Sequence, residues 1–179
     1  MLGLKKHTVE IVEHQSDWHA LAVDACQKVQ IATSKLLAEV QHVGSTAVPG
    51  LLAKPILDIA AGIKNWELVP EIITRMTDIG YIYRGDAGVN GGHLFVWESS
   101  PNIRTIHVHV VEYNGSQWNN YLLFRDLLRQ DSQIRRQYAE LKEQLKSRYP
   151  NNRKAYTAGK RGFVMKCLEQ AHSNLMLEK

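Results

Sequence analysis

The chain has 179 residues, of which 44% are hydrophobic and 22% charged, a composition that predicts one compact domain with a full core. No apolar run approaches the ~20 residues that span a bilayer, and the first residues lack the apolar segment of a signal peptide. Two distant cysteines, Cys26 and Cys167, argue against a disulfide framework and a cysteine-based zinc site, so we expect a cytoplasmic protein without membrane segments.

The charge is unevenly distributed along the chain. The net charge of +4 divides into −3 over residues 1–115 (9 Lys and Arg, 12 Asp and Glu) and +7 over residues 116–179 (13 and 6). A basic half beside a mildly acidic one suits phosphate-bearing ligands, but solvated helices rich in Lys and Arg are the simpler explanation. Because no aromatic stripe alternates with these basic residues, nucleic acid is not an expected partner.

The first part of the chain alternates short apolar runs with helical segments. Polar capping residues, glycines, prolines and the spacing of apolar residues predict where each helix and strand begins and ends. The predicted elements, in chain order, are an edge strand at 9–13, a helix at 17–37, strands at 39–43 and 55–61, a helix at 66–79 closed by Gly80, and strands at 81–84, 93–98 and 104–112, the last two forming a hairpin around 99–102.

From residue 116 onward the apolar residues recur at helical spacing. We predict helices at 119–129, at 132–148 before Pro150, and from about 152 to 171. The expected fold class is therefore α/β (α+β): a mixed β-sheet with flanking helices over 1–115, followed by a helical C-terminal subregion over 116–179 that completes a single domain spanning 1–179.

A Gly44-Ser45-Thr46 turn directly follows the predicted strand at 39–43. Backbone N–H groups and the two hydroxyls of such a turn converge on an anion, and glycine allows a phosphate to approach closely. Most Gly-Ser turns are only turns, so this feature alone is weak. His42, at the lip of the turn, either contacts a phosphate or caps the strand.

Asp58 lies in an apolar strand, next to Leu57 and Ile59. A carboxylate in such a strand is costly unless it is paired or binds a metal, so we favour Asp58 as a catalytic and metal-binding residue. The alternative is a salt bridge with Lys54 or with an arginine from the C-terminal part. Lys54, just before the strand, is also a candidate ligand-binding residue.

His107 and His109 alternate with aliphatic residues. A strand places both imidazoles on one face, where Asp58 completes a set of three metal ligands. Two histidines and one carboxylate suit Zn²⁺, Mn²⁺ or Fe²⁺ better than Mg²⁺. The alternative is a pair of histidines bonded to neighbours on a half-exposed face; His93, on the preceding strand, is a weaker fourth candidate.

Three further residues are candidates for phosphate or nucleotide binding. Arg125 either binds a phosphate through two N–H groups of its guanidinium, or forms a structural salt bridge near Asp126 or with Asp58. Tyr156 and Lys160 share a helix face, so that Lys160 reaches a triphosphate while Tyr156 stacks or donates a hydrogen bond. A solvated lysine over a packed tyrosine is the alternative, and Lys142 belongs to the same undecided class.

A Gly-Ser turn, a spacer and an aspartate on a strand resemble the nucleotidyltransferase superfamily. That resemblance implies that the turn holds the phosphates of a nucleoside triphosphate, and that two strand acids separated by one residue bind a divalent metal such as Mg²⁺ or Mn²⁺. Here the second position is Ala60, so a standard two-metal mechanism is in doubt.

A finer resemblance is to the GrpB family. It is carried in order along nearly the whole chain by Trp18, HVGSTAVPGLLAKPILDI at 42–59, HVHVV at 107–111, GSQWNNYLLFRDLLR at 115–129, YAELKEQL at 138–145 and AYTAGKRGFV at 155–164. The resemblance implies a nucleotidyltransferase-like fold and settles no reaction.

Two functional hypotheses follow from these resemblances. One is an enzyme that transfers a nucleotidyl group from a nucleoside triphosphate with the help of Mg²⁺, Mn²⁺ or Zn²⁺. The other is a non-catalytic accessory module with a protein partner, since GrpB-like domains occur fused to dephospho-CoA kinase, where a role in that enzyme's folding has been proposed.

Overall fold

The structure is a computed structural model that describes residues 2–86 and 92–177. Within these ranges the chain forms six strands and six α-helices, and the last four helices follow one another after the final strand. The strands are β1 (Leu4–Lys5), β2 (Leu37–Val43), β3 (Leu57–Ile63), β4 (Ile82–Asp86), β5 (His93–Ser100) and β6 (Ile103–Glu112). The helices are α1 (Trp18–Thr33), α2 (Val69–Asp78), α3 (Ser116–Gln130), α4 (Ser132–Arg148), α5 (Arg153–Gly159) and α6 (Arg161–Leu177).

The six strands form one mixed sheet in the order β2-β3-β6-β5-β4, with β1 paired to the beginning of β6. The central strands β3 and β6 are parallel, and the other neighbours are antiparallel. The register places Asp58 of β3 opposite His107 of β6. The predicted fold class, a mixed sheet with flanking helices followed by helices, is confirmed.

Alternation along the two central strands divides the sheet into an apolar face and a polar face. Ile59 and Val108 are fully buried in the main core, where α1 and α2 cover the sheet. Strand geometry sends their neighbours to the opposite face. There Ala60 packs against Trp118 of α3, so α3 covers the polar face beside Asp58 and the two histidines.

The C-terminal helices extend this second layer. Leu128 of α3 and Tyr138 of α4 enclose Leu51, which follows the Gly-Ser turn. Tyr156 of α5 and Leu145 of α4 are buried with residues of the N-terminal segment. The helices after residue 116 therefore meet the loop between β2 and β3, which positions their polar side chains near the sheet.

The edge strand predicted at 9–13 is wrong. Only Val12 forms a β-bridge there, with Ala53. The N–H of Val9 instead donates to the carbonyl oxygen of Pro150 at 2.9 Å, and its side chain is buried against Leu145 and Tyr156. The segment is extended because it packs between a loop and helices. An apolar sequence pattern alone cannot distinguish such a packed extended segment from a β-strand.

Two predicted helix boundaries are also wrong. The first helix stops at Thr33 instead of residue 37, because Ser34 takes a positive φ of 52° and donates its N–H to Ile31. The helix predicted from 152 to 171 is divided into α5 and α6 around Lys160. Glycine is a poor helix former, and a Cβ on Gly159 would lie 2.5 Å from Leu145 Cδ2, so close packing fixes this position.

The other elements agree with the predictions to within a few residues. The hairpin of β5 and β6 is present, with Asn102 at φ 68° in its turn. Helix α4 has the predicted bounds, and Asp131 caps it by accepting hydrogen bonds from the N–H groups of Gln133 and Ile134. Gly80, at φ 93°, follows α2 as expected. None of the helices in the described ranges is long and apolar enough to cross a bilayer.

Candidate functional site

Asp58, His107 and His109 come together on the polar face of the sheet. Asp58 Oδ1 lies 3.3 Å from His107 Nδ1 and 3.6 Å from His109 Nε2. One ligand atom from each residue lies within 4.8 Å of the other two. The parallel pairing of β3 and β6 produces this cluster, because Asp58 and Ala60 lie opposite His107 and His109.

The protonation states in this cluster suit metal binding. Burial would raise the pKa of Asp58, but the neighbouring imidazoles of His107 and His109 outweigh it and hold the pKa well below its usual range. Burial also lowers the pKa of His107. At neutral pH the carboxylate is therefore ionised and the His107 imidazole neutral, the forms that coordinate a cation.

The donor set decides which metals fit. Two imidazole nitrogens and one carboxylate oxygen form a three-ligand site of the kind that binds Zn²⁺, Mn²⁺ or Fe²⁺ with positions open to a substrate. Ala60, the next residue on this face of β3, is buried against Trp118 and supplies no second carboxylate. In the part of the chain that the structure describes, no other three such donors lie close enough together to bind a metal.

Gly44 brings the Gly-Ser turn against the carboxylate. Its φ of 70° is one that side-chain-bearing residues rarely adopt, and a Cβ there would lie 2.9 Å from Asp58 Oδ2. Glycine is thus needed for two reasons, backbone conformation and close approach. The next residues, Ser45–Ala47, form a single 3₁₀ turn.

The two hydroxyls of the turn have different partners. Ser45 Oγ lies 3.4 Å from Lys142 Nζ of α4. Thr46 is buried, and its Oγ1 lies 2.9 Å from His42 Nε2. Burial lowers the pKa of His42 to about 4, so that imidazole is uncharged at neutral pH. Of the two hydroxyls, the one of Ser45 is beside a cation.

Lys142 is a buried lysine that the sequence left undecided. It is 1% exposed, its Nζ donates to the carbonyl oxygen of Leu52, and it lies 4.8 Å from the ring centre of Tyr138. Burial, followed by the charges of Lys160 and Lys54, lowers its pKa to about 7. Lys142 has no acidic partner among the residues that the structure describes, so its buried amino group is available to bind an anion.

Lys54 and Lys160 meet over Tyr156, which is buried. Their Nζ atoms lie 5.6 Å and 4.9 Å from its ring centre. Burial, followed by the charges of Lys160 and Arg153, lowers the pKa of Lys54 to about 7. The charge of Asp58 opposes this shift but does not cancel it. The sequence-predicted residues Lys54, Tyr156 and Lys160 therefore form one group, and Lys54 lies within electrostatic range of Asp58.

Arg153 is a site residue that the sequence reasoning missed. Its two terminal nitrogens are buried and have no hydrogen-bond partner in the described ranges. Asp58 is close enough to raise its pKa, although burial lowers it more strongly. A signal existed, because Arg153, Tyr156 and Lys160 are spaced i, i+3 and i+7, the spacing of one helix face.

Arg125 is a structural bridge. Its guanidinium donates to Asp126, with Nε 2.7 Å from Oδ1, and its Nη1 donates to Gln41 Oε1 at 3.0 Å and to the carbonyl oxygen of His42 at 3.1 Å. These bonds tie α3 to the edge strand β2. Among the alternatives for Arg125, the structure favours the bridge with Asp126.

His93 does not join the metal cluster. It lies opposite Val110, whose side chain belongs to the apolar face, and its Nδ1 lies 2.7 Å from the hydroxyl of Tyr83. The sequence placed His93 on the right strand, but the antiparallel register turns its side chain to the other side of the sheet.

Comparison with known proteins identifies relatives over most of the chain. The family model described as GrpB protein matches residues 8–170. The glutamate-rich protein GrpB of Alkalihalophilus pseudofirmus is 32% identical, over 95% of this chain and 99% of the relative. A dephospho-CoA kinase of Mycolicibacterium paratuberculosis is 26% identical, over 85% of this chain and 43% of that protein.

Solved structures are also similar to this chain. The crystal structure of conserved protein GrpB from Enterococcus faecalis superposes with a TM-score of 0.83 at 30% identity, over 93% of this chain and 99% of that one. A structure of the Cid1 poly(U) polymerase bound to Mg 3′-dATP superposes with a TM-score of 0.54 at 12% identity, over 83% of this chain and 49% of that one. At that identity the likeness shows the fold alone, which this chain shares with part of that polymerase.

Proposed function

The chain belongs to the GrpB family, and we propose that it binds a nucleoside triphosphate with one divalent metal ion and transfers the nucleotidyl group to an acceptor hydroxyl. The observation that carries this proposal is the cluster of Asp58, His107 and His109, with three ligand atoms within 4.8 Å, beside the Gly-Ser turn. Fold alone would not carry it, because one fold hosts many functions.

The charge balance around the cluster supports a polyphosphate ligand. The charge of Lys160 lowers the pKa values of both Lys54 and Lys142, and the charge of Arg153 also lowers that of Lys54. The charge of Asp58 acts in the opposite direction on Lys54 and on Arg153. A triphosphate carries enough negative charge to neutralise these cations, and its binding would raise the pKa values of Lys54 and Lys142 again.

Each part of the pocket has a distinct role in the proposed complex. The N–H groups of the turn, Ser45 Oγ and Lys142 Nζ hold the outer phosphates, while Lys160 and Lys54 lie over Tyr156 on the side of the helices. A divalent metal held by Asp58 and the two histidines would supply positive charge to the phosphate oxygens.

The reaction is a substitution at the α-phosphorus. The acceptor oxygen forms a bond to this phosphorus, the bond from the phosphorus to the bridging oxygen of the β-phosphate breaks, pyrophosphate leaves, and the acceptor proton passes to water. Because Ala60 removes the second acid, the lysines take over the neutralisation of charge on the leaving pyrophosphate that a second metal provides elsewhere.

Calorimetric titration with a non-hydrolysable ATP analogue and Mn²⁺ tests binding, and ³¹P NMR of ATP incubated with the protein and candidate acceptors tests transfer. The proposal expects saturable binding that weakens in Ser45→Ala and in Lys142→Gln. The proposal is overturned if Ser45→Ala and Lys142→Gln both bind the analogue as tightly as wild type. It is also overturned if none of the four common triphosphates binds in the presence of Mn²⁺, Mg²⁺ or Zn²⁺.

A second candidate is a non-catalytic accessory module, supported by Ala60 and by the dephospho-CoA kinase relative, of which this chain spans less than half. Such a module keeps the phosphate pocket as a binding site and acts through a protein partner. Binding of triphosphate and metal without release of pyrophosphate, for every acceptor tried, favours this second function over transfer.

A further inference from the structure

A cavity of about 520 Å³ opens beside the Gly-Ser turn, and its lining is rich in basic side chains. It includes His14, His19, His42, Arg129 and Arg135, and none of the residues that line it is acidic. A volume of this size is typical of a site for a small molecule. None of these five side chains belongs to the pocket proposed for the triphosphate, so the cavity needs an explanation of its own.

The cavity lies at the edge of the sheet, turned away from the proposed metal site. His42 and Val43 are neighbours in β2, so their side chains project from opposite faces. Val43 packs against Trp118 of α3, on the face that carries Asp58. His42 therefore projects from the face covered by α1, whose His19 lines the cavity with it.

Arg129 is held in place with one nitrogen left for a ligand. Its Nε donates to the carbonyl oxygen of Ala47 at 2.9 Å, and its Nη1 lies 3.4 Å from Asp126 Oδ1. In residues 2–86 and 92–177 its Nη2 has no hydrogen-bond acceptor. Asp126 also accepts two hydrogen bonds from Arg125, at 2.7 Å and 3.0 Å, so one carboxylate serves both guanidinium groups.

Arg135 brings a further guanidinium to the same cavity. Its Nη1 donates to the carbonyl oxygens of Leu128 and Arg129, at 3.0 Å and 3.2 Å, which fixes the side chain at the end of α3. Within the described part of the chain it forms no ion pair with a carboxylate. The guanidinium groups of Arg125, Arg129 and Arg135 and the one carboxylate of Asp126 together leave a charge of +2, which favours a doubly charged anion.

The histidines of the cavity are hydrogen-bonding groups and not metal ligands. His42 Nε2 lies 2.9 Å from Thr46 Oγ1. The ring of His14 packs edge-on against Trp18, with the ring centres 5.3 Å apart, and its Nδ1 is buried, which leaves Nε2 to contact a ligand. Among the described residues, only the cluster around Asp58 brings three donors close enough to hold a metal ion. Imidazole and guanidinium N–H groups suit an oxyanion instead.

A second cavity, of about 360 Å³, adjoins the first. The two cavities share the lining residues His19, His42 and Arg129. Apart from Arg125, the remaining lining of the second cavity is uncharged and includes the apolar side chains of Val23 and Val40. A basic cavity that continues into a less polar one suits an organic molecule with an anionic group at one end.

We propose that Arg129, Arg135 and the histidines of this cavity bind the phosphate group of a small phosphomonoester, whose organic part lies in the adjoining cavity. A phosphomonoester carries about two negative charges at neutral pH, which matches the excess of guanidinium groups. Arg129 Nη2 and the remaining N–H groups of Arg135 donate to the phosphate oxygens, and His14 Nε2 lines the same space. This site goes beyond the proposed function and needs no metal ion.

Inorganic phosphate and phenyl phosphate are the probes for this site. With ¹⁵N-labelled histidine, NMR follows the rings of His14 and His19 in the full chain without metal, and His14→Gln and His19→Gln identify their signals. We expect saturable shifts of both rings. Arg129→Gln should bind about tenfold more weakly, and Arg129→Lys should bind with an intermediate affinity, because it keeps the charge and loses the planar guanidinium.

A variant at an exposed residue covers the case in which Arg129→Gln fails to fold. His19 is exposed, so His19→Gln should unfold at the temperature of wild type and still bind phosphate more weakly, as read from the His14 signal. Thermal unfolding of each variant verifies its fold. Shifts that are absent in wild type, or unchanged affinities in both Arg129→Gln and His19→Gln, would overturn the site.

Two control variants make the result specific. Arg136→Gln removes the arginine next to Arg135 in α4, which is exposed and pairs with Glu140, and we expect the affinity of wild type. Lys142→Gln removes the cation beside Ser45, and we expect the shifts of the two histidines to persist. The proposal is wrong if Arg136→Gln weakens binding as much as Arg129→Gln does, or if Lys142→Gln abolishes the shifts.

Competition separates an organic ligand from a free inorganic ion. Phenyl phosphate should displace inorganic phosphate and bind more tightly, because its ring enters the adjoining cavity. Val23→Asp, which places a negative charge in that cavity, should remove this advantage. If inorganic phosphate binds through Arg129 and phenyl phosphate does not compete, the cavity takes an inorganic ion and the assignment to a phosphomonoester is wrong.

The same titrations distinguish this site from the triphosphate pocket. If the phosphate shifts depend on Arg129 while no triphosphate binds wild type with any metal, the phosphomonoester site stands and the proposed function fails. If the ATP analogue with Mn²⁺ displaces phenyl phosphate and itself shifts His14 and His19, the two pockets are one and the separate site is overturned.

Discussion

Lys142 Nζ lies 3.4 Å from Ser45 Oγ, although 97 positions separate the two residues in the sequence. The contact joins helix α4 to the turn that follows β2. It places a buried cation beside the Gly-Ser turn, so the phosphate side of the pocket is built from both the sheet and the helices that follow it.

The first prediction concerns this contact. Ser45→Ala and Lys142→Gln should each weaken binding of a non-hydrolysable triphosphate by about tenfold, because each removes a hydrogen bond or charge that contacts the outer phosphates. The double variant should lose less than the sum of the two free energies, since the residues act together. Isothermal calorimetry measures all three. Arg136→Gln, on the exposed side of α4, is the matched control and should bind like wild type.

Gly44→Ala and Gly50→Ala form a second, paired prediction. Both glycines have a positive φ, 70° and 74°, so both substitutions should destabilise the fold by about 1 kcal/mol through the backbone. Only at Gly44 does the added methyl meet Asp58, whereas nothing lies within 4 Å at Gly50.

We therefore expect Gly44→Ala to unfold at a lower temperature than Gly50→Ala and to lose metal binding, which Gly50→Ala should keep. Differential scanning calorimetry and a Mn²⁺ titration measure the two effects. Equal unfolding temperatures together with equal metal affinities would show that the close approach at Gly44 has no consequence.

The third prediction uses the buried ammonium of Lys142. Its pKa of about 7 in the folded protein is below the ~10.4 of an unfolded chain, so the unfolded state binds more protons between these values. Stability should therefore rise with pH from about 7 to about 10.4, and the charge opposes folding below that window. The free energy of unfolding, measured with denaturant at several pH values, should rise less steeply with pH in Lys142→Met than in wild type.

At pH 6 the same variant should be no less stable than wild type, and we expect a gain of about 1 kcal/mol, because an apolar group replaces a buried charge. Its triphosphate affinity should nevertheless fall. A variant that is less stable and has an unchanged pH dependence would show that Lys142 is neutral or well solvated in the folded protein.

Metal binding should distinguish the two faces of the sheet. His109→Gln removes a proposed ligand and should weaken Mn²⁺ or Zn²⁺ binding by at least about tenfold. His93→Gln, on the opposite face and bonded to Tyr83, should bind metal like wild type. Competition with a chromophoric chelator measures both affinities, and equal losses in the two variants would contradict the assignment of the site to the Asp58 face.

Local patterns predicted which side chains cluster at the centre of the candidate site. Alternation along HVHVV places His107 and His109 on one face, and a lone acid in an apolar strand marks Asp58. Both features depend on the two-residue period of a strand, which the sequence shows directly. The pairing of β3 with β6 could not be read from the sequence, because it depends on which strands become neighbours in the sheet.

The remainder of the pocket depends on tertiary packing. Whether Lys142 is solvated or buried is decided by the docking of α4 on the loop that contains Leu52, and no local pattern encodes that contact. The same holds for Arg125, which faces Asp126 and β2 in place of a ligand. Arg153 could have been recognised by its spacing from Tyr156 and Lys160, but its lack of a partner becomes visible only in three dimensions.

The most direct test of the proposed function is an electron paramagnetic resonance titration of Mn²⁺, in which the signal of the free ion decreases as the protein binds it. The account predicts one Mn²⁺ per chain, about tenfold tighter binding when a non-hydrolysable triphosphate is present, and loss of both effects in Asp58→Asn but not in His93→Gln. Binding that is unchanged in Asp58→Asn, or a free-ion signal that persists with the triphosphate in the presence of excess protein, would contradict the account.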